Sequence, residues 1–284
     1  MIVITGATGQ LGSRIVDRLL DRVPAAEIGV SVRDPARAAG LSARGVRVRR
    51  GDFADAASLA DAFKGAAQVL VVSTDRSGDE AVAHHVAAAE AARRAGAGRV
   101  VYTSHQGAAA DSLFAPMADH AETERRLAGA PFTALRNGFY ASTVPLLLGD
   151  ALRTGELVAP ADGPVSWTAH ADLAEAAAIV LAGEGRFDGP TPPLTAPVAL
   201  DLRDVAVLLG ELAGRPVRRV VADDEEWVAG LTGHGVPADR AELLLGMFRA
   251  SRRGEFAAVG PDLEELLGRP ATPLRTVLAA ALPG

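Results

Sequence analysis

Three evenly spaced glycines near the start of the chain are suited to binding phosphate groups. Gly6, Gly9 and Gly12 form a G-x-x-G-x-x-G pattern between the β-branched segment Ile2–Thr5 and a helical pattern that begins near residue 10. The first glycine permits a tight turn, the second lets backbone approach a pyrophosphate, and the third lets helix pack closely on strand. The helix start then offers free N–H groups and a positive dipole end. The pattern predicts an NAD(P)-type dinucleotide site, and the alternative is a glycine-rich loop that binds nothing.

Arginine follows the second predicted strand at the position that decides between NAD and NADP. An acidic residue there would accept from the ribose 2′-hydroxyl and favour NAD. Here Arg33 ends the strand and Arg37 follows one turn later, and a guanidinium fork suits a 2′-phosphate. Asp34, ahead of Pro35, is interpreted as a helix N-cap. The sequence therefore favours NADP(H), with NAD(H) as the alternative cofactor and with two solvated arginines as the competing interpretation.

The elements that must position these residues alternate as strand and helix through the first half of the chain. The predicted strands are Ile2–Thr5, Ile28–Val32, Val46–Arg49, Val69–Val72, Val100–Thr103 and Phe132–Leu135. Between them lie helical patterns near 10–22, 35–43, 55–63, 79–95 and 118–128. This alternation predicts an α/β fold with a Rossmann-type doubly wound parallel sheet. Ligands bind such sheets beyond the carboxyl ends of the strands.

The alternation becomes looser beyond residue 136. Helical patterns occur there at about 170–182, 202–213, 224–232, 238–250 and 262–267. We predict an NAD(P)-binding domain at 1–136 and a smaller, mostly helical C-terminal substrate lobe at 137–284, partly interleaved with the first.

Composition excludes several other classes of function. The 284-residue chain has a net charge of −6, which provides no basic field to attract nucleic acid or an anionic membrane. It contains no cysteine, which excludes disulfides, thiolate metal sites and a cysteine nucleophile and fits a reducing compartment. The opening MIVITGATG lacks the basic region of a signal peptide. We therefore expect a cytoplasmic protein.

Several motifs together resemble the NmrA-like group of atypical short-chain dehydrogenase/reductases, and most of all the bacterial type 2 NAD(P)H:quinone oxidoreductases. They are MIVITGATGQLG at the start, VRDP after the second strand, GDFAD after the third, DHAETERRL at 119–127 and LRNGFY at 135–140. The resemblance implies cofactor contacts from the phosphate turn, the 2′ position, the adenine pocket and the end of the fourth strand. These residues are Gly6, Thr8, Gly9, Gln10, Leu11, Arg33, Asp52, Phe53, Ser73, Thr74 and Asp75.

The Tyr-x-x-x-Lys pair that is usual in short-chain dehydrogenases cannot form in this chain. The residues four positions after Tyr102 and Tyr140, which are the two tyrosines, are Gln106 and Val144. In the matching place the resemblance puts His120 and Glu124, which share one helix face. This argues against ordinary carbonyl–alcohol chemistry. A quinone needs no strong acid, because its reduction yields a stabilised aromatic oxyanion that hydrogen-bond donors suffice to hold.

The candidate donors to such an acceptor are Asn137, Tyr140, Ser104 and His120. The competing interpretations are that His120 is a helix-surface residue paired with Glu124, and that Asn137 and Tyr140 only cap a helix and fill a cleft. For Phe139 we favour core packing over a role in lining the acceptor pocket.

The sequence thus predicts an NADPH-dependent reductase of a quinone or similar conjugated aromatic carbonyl, with direct hydride transfer, no flavin and no metal. His84 and His85 lack partner carboxylates at metal-binding spacing and are interpreted as structural. One alternative is an NADP(H)-sensing regulatory protein without turnover, and another is a biosynthetic tailoring reductase. The expected partners are a small aromatic substrate and a second copy of the chain in a homodimer, with no nucleic acid and no membrane.

Overall fold

A computed structural model describes residues 1–183 and 187–282 of the chain. The strands are β1 (Ile2–Thr5), β2 (Ile28–Val32), β3 (Arg47–Arg50), β4 (Gln68–Val71), β5 (Arg99–His105), β6 (Phe132–Asn137), β7 (Glu156–Pro160), β8 (Gly189–Pro190) and β9 (Arg218–Ala222). The α-helices are α1 (Gln10–Leu20), α2 (Ala39–Ala43), α3 (Ala56–Ala62), α4 (Asp79–Arg94), α5 (Ala115–Leu127), α6 (Val144–Leu147), α7 (Ala151–Thr154), α8 (His170–Ala182), α9 (Leu202–Ala213), α10 (Asp224–Gly233), α11 (Ala238–Arg252), α12 (Asp262–Leu267) and α13 (Leu274–Ala281). Short 3₁₀ turns occupy Ala25–Glu27, Pro35–Ala38 and Ala141–Thr143.

The main sheet is parallel and has the strand order β3-β2-β1-β4-β5-β6-β8. The order reverses between β1 and β4, which places a topological switch point beside the glycine turn. The predicted Rossmann-type sheet is confirmed. Because every strand runs the same way, Thr5, Val71, His105 and Asn137 all end at one edge of the sheet.

Helices cover both faces of this sheet, which is why its strands are apolar on both sides. Along β1 the buried side chains alternate between the two cores. Ile2 and Ile4 pack with α1, α8 and α12, whereas Val3 packs with α3 and α4. This double cover fixes the carboxyl edge of the sheet as a rigid platform.

The segment after Asn137 builds a third core and also returns to the main sheet. Its apolar residues, among them Phe139, Trp167, Leu209 and Phe248, form a separate cluster. The segment also supplies α8 to the β1 face and β8 as the outer neighbour of β6. The division of the chain at residue 136 therefore stays a proposal, with the two parts interleaved at α8 and β8.

The C-terminal segment contains elements that the sequence analysis did not predict. Strands β7 and β9 pair in parallel as a separate two-stranded sheet, so the lobe is not made of helices alone. Helix α13, which follows the last predicted helix, was missed as well. By contrast, α8, α9 and α12 have the bounds that the apolar periodicity predicted.

Within the described residues, no helix combines the length and apolarity that crossing a membrane requires. The same part of the chain contains no group of three His, Asp or Glu side chains placed to hold a metal ion.

Candidate active site

The glycine turn joins β1 to α1 and has the backbone shape that a phosphate-binding loop requires. Gly6 has a φ of +61°, a left-handed conformation that favours glycine. A Cβ on Gly12 would lie 2.2 Å from the carbonyl oxygen of Gly6, so only glycine lets α1 pack this close to the turn. Gly9 is the N-cap of α1 and offers no side chain to its first-turn N–H groups. These donors are available to a ligand.

The two arginines after β2 suit the phosphate group that distinguishes NADP. Arg33 and Arg37 are both exposed, and neither guanidinium forms an ion pair with another described residue. The Asp34 carboxylate accepts from the Ala36 N–H at 3.0 Å and caps a 3₁₀ turn that begins with Pro35. The N-cap interpretation of Asp34 is confirmed, and the carboxylate is engaged with backbone rather than with a ribose. The site fits a dinucleotide with a 2′-phosphate.

The other predicted cofactor residues lie at the ends of β3 and β4. Asp52 accepts from the Ala54 N–H at 3.1 Å, and Phe53 is half-buried with its ring 6.2 Å from that of His84. After β4, the Ser73 N–H donates to the Thr103 hydroxyl at 2.8 Å and the Thr74 N–H donates to His85 at 3.0 Å. Thr8, Gln10 and Leu11 lie in the turn and the first turn of α1, and Asp75 is exposed.

Asn137 and Tyr140 lie next to the carboxyl edge, held by backbone hydrogen bonds on both sides. Asn137 is the last residue of β6, opposite His105 in the register of β5. The segment then pairs with Leu194 through the Gly138 N–H at 2.8 Å, and the Ala141 N–H donates to the Thr168 carbonyl at 2.9 Å. Asn137 is 1% exposed, yet its Oδ1 has no partner in the described part of the chain. A buried polar atom left in this state is suited to a ligand.

Tyr140 is held neutral by its surroundings. Burial raises the pKa of its phenol to about 12, with a smaller opposing effect from the Asn137 side chain. Its ring lies 4.2 Å from that of His170, between centroids. At neutral pH the phenol keeps its proton and can donate it in a hydrogen bond.

A groove of about 350 Å³ lies between the start of α1, the start of α8 and α13. Its lining includes Gln10 and Arg14 of α1, Ser142 and His170, and Thr276 of α13. The groove thus runs from the first residue of α1 to His170, whose ring packs on that of Tyr140. A second depression of about 390 Å³ lies around Phe132 and Gly189, at the opposite edge of the sheet. We assign no role in the reaction to that depression, because it is remote from the strand carboxyl ends.

Ser104 lies in β5 but is committed to a buried ion pair. Its hydroxyl donates to the Glu124 carboxylate at 2.6 Å, and Arg136 donates two hydrogen bonds to the same carboxylate at 3.1 and 2.6 Å. The Arg136–Glu124 pair ties α5 to the end of β6. A direct contact between Ser104 and a substrate stays a prediction, and its proton is already engaged.

His120 is not a surface residue paired with Glu124, so that competing interpretation is wrong. Its Nδ1 lies 2.7 Å from the Tyr102 hydroxyl, whereas Glu124 is engaged by Ser104 and Arg136. Burial lowers the pKa of His120 to about 4, so the imidazole is neutral at pH 7.

An aromatic cluster closes the site on the side of the C-terminal lobe. Phe139 is 7% exposed and packs edge-on against Trp167 and Phe256 with centroids 5.4 and 4.9 Å apart. Trp167 donates its Nε1–H to the Leu200 carbonyl at 3.0 Å, which fixes the indole. The expectation that Phe139 packs in a core is confirmed.

Known proteins resemble this chain over almost its whole length. The profile of the NmrA-like family matches residues 1–277. The chain is 35% identical to quinone oxidoreductase 2 of Escherichia coli K12 over 96% of each chain. This chain belongs to the NmrA-like family. An NAD(P)H azoreductase of Xenophilus azovorans is 33% identical over 95% of this chain and 94% of that one. The chain is an oxidoreductase of this family.

Solved structures of NmrA-like and related proteins superpose on the chain over almost its whole length. An NADPH-dependent quinone oxidoreductase from Escherichia coli, solved in complex with NADPH, matches with a TM-score of 0.92, 32% identity and 99% coverage of both chains. The triphenylmethane reductase of Citrobacter sp., solved with NADP(H), matches with a TM-score of 0.91 and 33% identity, covering 99% of this chain and 100% of that one.

His105 lies beside these candidate residues and was not predicted from the sequence. His105 ends β5 opposite Asn137, is 8% exposed, and packs edge-on against Phe139 with ring centroids 5.2 Å apart. The predicted strand ended at Thr103, two residues early, which left His105 in a loop. No alternation marks the end of this strand, because β5 is buried on both faces from Val100 to His105.

Proposed function

We propose that this NmrA-like protein is an NADPH-dependent reductase that transfers hydride directly to a quinone or a similar conjugated aromatic carbonyl, without a flavin. One observation carries the proposal. The cofactor features and the acceptor features lie along the same carboxyl edge of the sheet, on either side of the switch point. On one side are the phosphate turn, whose N–H groups have no side-chain cap, and two exposed arginines. On the other side are the neutral hydrogen-bond donors.

The residues that would hold the cofactor are those predicted from the sequence. The turn Gly6–Gly12 would bind the pyrophosphate, Arg33 would bind the 2′-phosphate, and Phe53 would lie against the adenine. Ser73 and Thr74 would lie beside the nicotinamide ribose. When bound, NADPH supplies the hydride. NAD(H) would lack the group that Arg33 recognises, and we propose that it binds more weakly.

The acceptor would be held by neutral donors. We propose that Asn137, Tyr140 and His120 donate hydrogen bonds to a carbonyl oxygen as negative charge develops on it. A neutral phenol, amide and imidazole stabilise such an oxygen without transferring a full proton, which is sufficient for an aromatic oxyanion. Ordinary ketones would need the phenol–lysine pair that this chain lacks, so we propose that they are poor substrates.

The names of the relatives are consistent with this acceptor class. Quinones and triphenylmethane dyes are both conjugated electrophiles, and hydride addition restores an aromatic ring in each. We propose an acceptor with these properties and leave its identity to the assay. The cytoplasmic location and the homodimer remain predictions from the sequence.

The test is steady-state oxidation of NADPH and of NADH, with and without 1,4-naphthoquinone, by protein purified free of flavin. We expect quinone-dependent oxidation that is faster with NADPH. Tight NADPH binding without turnover on several quinones and dyes would overturn the reductase proposal and favour an NADP(H)-sensing protein.

A further inference from the structure

The buried His85 ring has one hydrogen-bond partner that fixes its protonation. The backbone N–H of Thr74 donates to His85 Nε2 at 3.0 Å, so this nitrogen must be an unprotonated acceptor. A neutral imidazole then carries its proton on Nδ1. That nitrogen lies 3.1 Å from the Thr123 hydroxyl and 3.2 Å from the Tyr102 hydroxyl. His85 therefore has a single N–H that faces both hydroxyls, and neither Tyr102 nor Thr123 can donate to this nitrogen.

The hydrogen bonds of Tyr102 determine which ring nitrogen of His120 carries the proton. The tyrosine is fully buried, and its hydroxyl lies between His85 Nδ1 and His120 Nδ1. Both the His85 Nδ1–H and the Thr123 hydroxyl can donate to the phenol oxygen, which leaves the one phenolic proton for His120. The 2.7 Å separation is typical of an O–H donor and short for an N–H donor. His120 Nδ1 accepts, and its proton is on Nε2.

His105 reaches the same state by a separate route. The backbone N–H of Gly107 donates to His105 Nδ1 at 3.0 Å, which leaves the ring proton on Nε2. The rings of His105 and His120 lie 6.2 Å apart and nearly parallel, at 24°. Neither Nε2 has a hydrogen-bond partner among the described residues. Neither Nε2 is fully buried, so both can be reached by a ligand.

We propose that two backbone N–H groups lock these histidines so that His105 and His120 present a pair of neutral Nε2–H donors to the acceptor. Tyr102 and His85 are positioning residues that hold His120 in this tautomer, and His105 is a further substrate-binding residue. The inference rests on the proposed function, because it assumes an acceptor at this edge. The ligand that suits two such donors is an uncharged planar molecule with carbonyl oxygens.

The hydrogen-bond chain orients a proton but cannot conduct one. It ends at the Thr74 amide, which does not release a proton, so no proton can enter from that end to replace one given up at His120 Nε2. A neutral imidazole can nevertheless polarise a carbonyl. The groups that face His120 are His85 from α4, Tyr102 and His105 from β5, and Asp119 and Glu124 on α5 itself. Glu124 is neutralised by Arg136, and Asp119 accepts from the Gly78 N–H at 2.7 Å.

The direct test is long-range proton–nitrogen NMR of the full chain labelled with ¹⁵N-histidine, without substrate. Protonated and unprotonated ring nitrogens have well-separated shifts, and His105→Gln and His120→Gln variants assign the signals. We expect both residues as the Nε2–H tautomer at pH 7. An Nδ1–H tautomer, an averaged pair of nitrogens or a charged ring at either residue would overturn the proposal, whatever the protein turns over.

Tyr102→Phe tests the positioning role, with Tyr140→Phe as the matched control because it removes the other phenol. We expect the Tyr102 change to leave His120 as a mixture of tautomers and the control to leave its spectrum unchanged. If His120 stays entirely in the Nε2–H form in the Tyr102→Phe variant, Tyr102 does not hold the tautomer, and its proposed positioning role is wrong. If that variant does not fold, Thr74→Pro, which deletes the anchoring N–H, provides the same comparison.

Kinetics supply an independent readout. With 1,4-naphthoquinone, kcat/KM should be flat between about pH 6 and 8, because the donors remain neutral. A fall above about pH 6.5 would show that an imidazolium acts as the acid and would overturn the proposal. Absence of turnover would defeat the proposed function but leave the tautomer result intact.

Discussion

Among single residues, charge distinguishes the cofactor end of the site from the acceptor end. Arg33 and Arg37 are exposed cations without carboxylate partners among the described residues. Tyr140 and His120, the proposed donors at the acceptor end, are neutral at pH 7, because burial raises the pKa of Tyr140 to about 12 and lowers that of His120 to about 4. An anionic cofactor and an uncharged acceptor would each meet the environment that suits it.

Arg33→Ala should weaken NADPH binding by about 10- to 100-fold, since a hydrogen bond to a charged group contributes about 1.5–3 kcal/mol. NADH binding should change little, because NADH has no 2′-phosphate. Fluorescence titration with both cofactors measures the two affinities. Arg94→Ala is the control, as Arg94 is an exposed arginine at the far end of α4. Equal losses for NADPH and NADH would contradict the assignment of Arg33.

Tyr140→Phe should lower kcat with 1,4-naphthoquinone by about tenfold, or about 1.4 kcal/mol, while the NADPH affinity stays the same. The change removes one donor to the developing oxyanion and keeps the ring that packs on His170. Steady-state kinetics combined with a cofactor titration separate the two effects. Unchanged kcat and unchanged affinity would mean that the tyrosine is only a wall of the site.

The sequence was sufficient to place Asn137 and Tyr140 at the end of a strand, but not to show which protons their neighbours carry. Tyr102, His85 and His120 come from β5, α4 and α5, and their hydrogen bonds exist only once these elements pack. His105 was not predicted to lie in a strand, because the ends of secondary-structure elements are poorly marked in sequence. Conversely, the engagement of Ser104 with Glu124 and Arg136 is a tertiary contact that no local pattern indicates.

Among the elements, the β1–α1 unit carries the most local information. Its apolar strand, three glycines and amphipathic helix were predicted together, and each is explained by contacts within about twenty residues. Strands β7 and β9 are the opposite case. They pair across a long sequence separation, with a register that runs from Glu156 and Arg218 to Pro160 and Ala222. In addition, β9 begins with two arginines, which are not typical of a strand. Strand β8 is two residues long and has no periodicity to detect.

Gly12→Ala should both destabilise the protein and weaken NADPH binding. The new Cβ would lie 2.2 Å from the Gly6 carbonyl oxygen, so α1 must move away from the turn. Overpacking of this kind typically costs about 1–3 kcal/mol. Thermal unfolding and NADPH titration report the two effects.

Gly40→Ala provides the matched control for this change. A Cβ on Gly40 meets nothing within 4 Å, and the residue lies inside α2. Alanine there should be neutral or stabilising by up to about 1 kcal/mol. A Gly12→Ala variant that behaved like this control would contradict the close approach of α1 to the turn.

For the whole molecule, buried histidines tie stability to pH. Burial lowers the pKa of His85 to about 3 and those of His120 and His170 to about 4. Between these values and about 6.5 the unfolded chain binds more protons than the folded one. The stabilising contribution is therefore complete above about pH 6.5 and is lost as the pH falls toward 4.

Urea unfolding at pH 7 and at about pH 4.5 should show this loss, and His170→Gln should reduce the difference by on the order of 1–3 kcal/mol. His234→Gln is the control, because His234 is exposed, and it should leave the difference in stability between the two pH values unchanged. A His170→Gln variant with the full pH difference would show that His170 does not contribute to it.

We propose that hydride passes directly from NADPH to a conjugated acceptor at the carboxyl edge of the sheet. The most direct measurement is a single turnover, in which flavin-free protein preloaded with NADPH is mixed with 1,4-naphthoquinone and the nicotinamide absorbance is followed. We expect rapid oxidation of NADPH, one molecule for each quinone reduced, and a slower reaction when deuterium replaces the transferred hydrogen of the nicotinamide. NADPH that stays bound and unoxidised in the presence of excess quinone would contradict it.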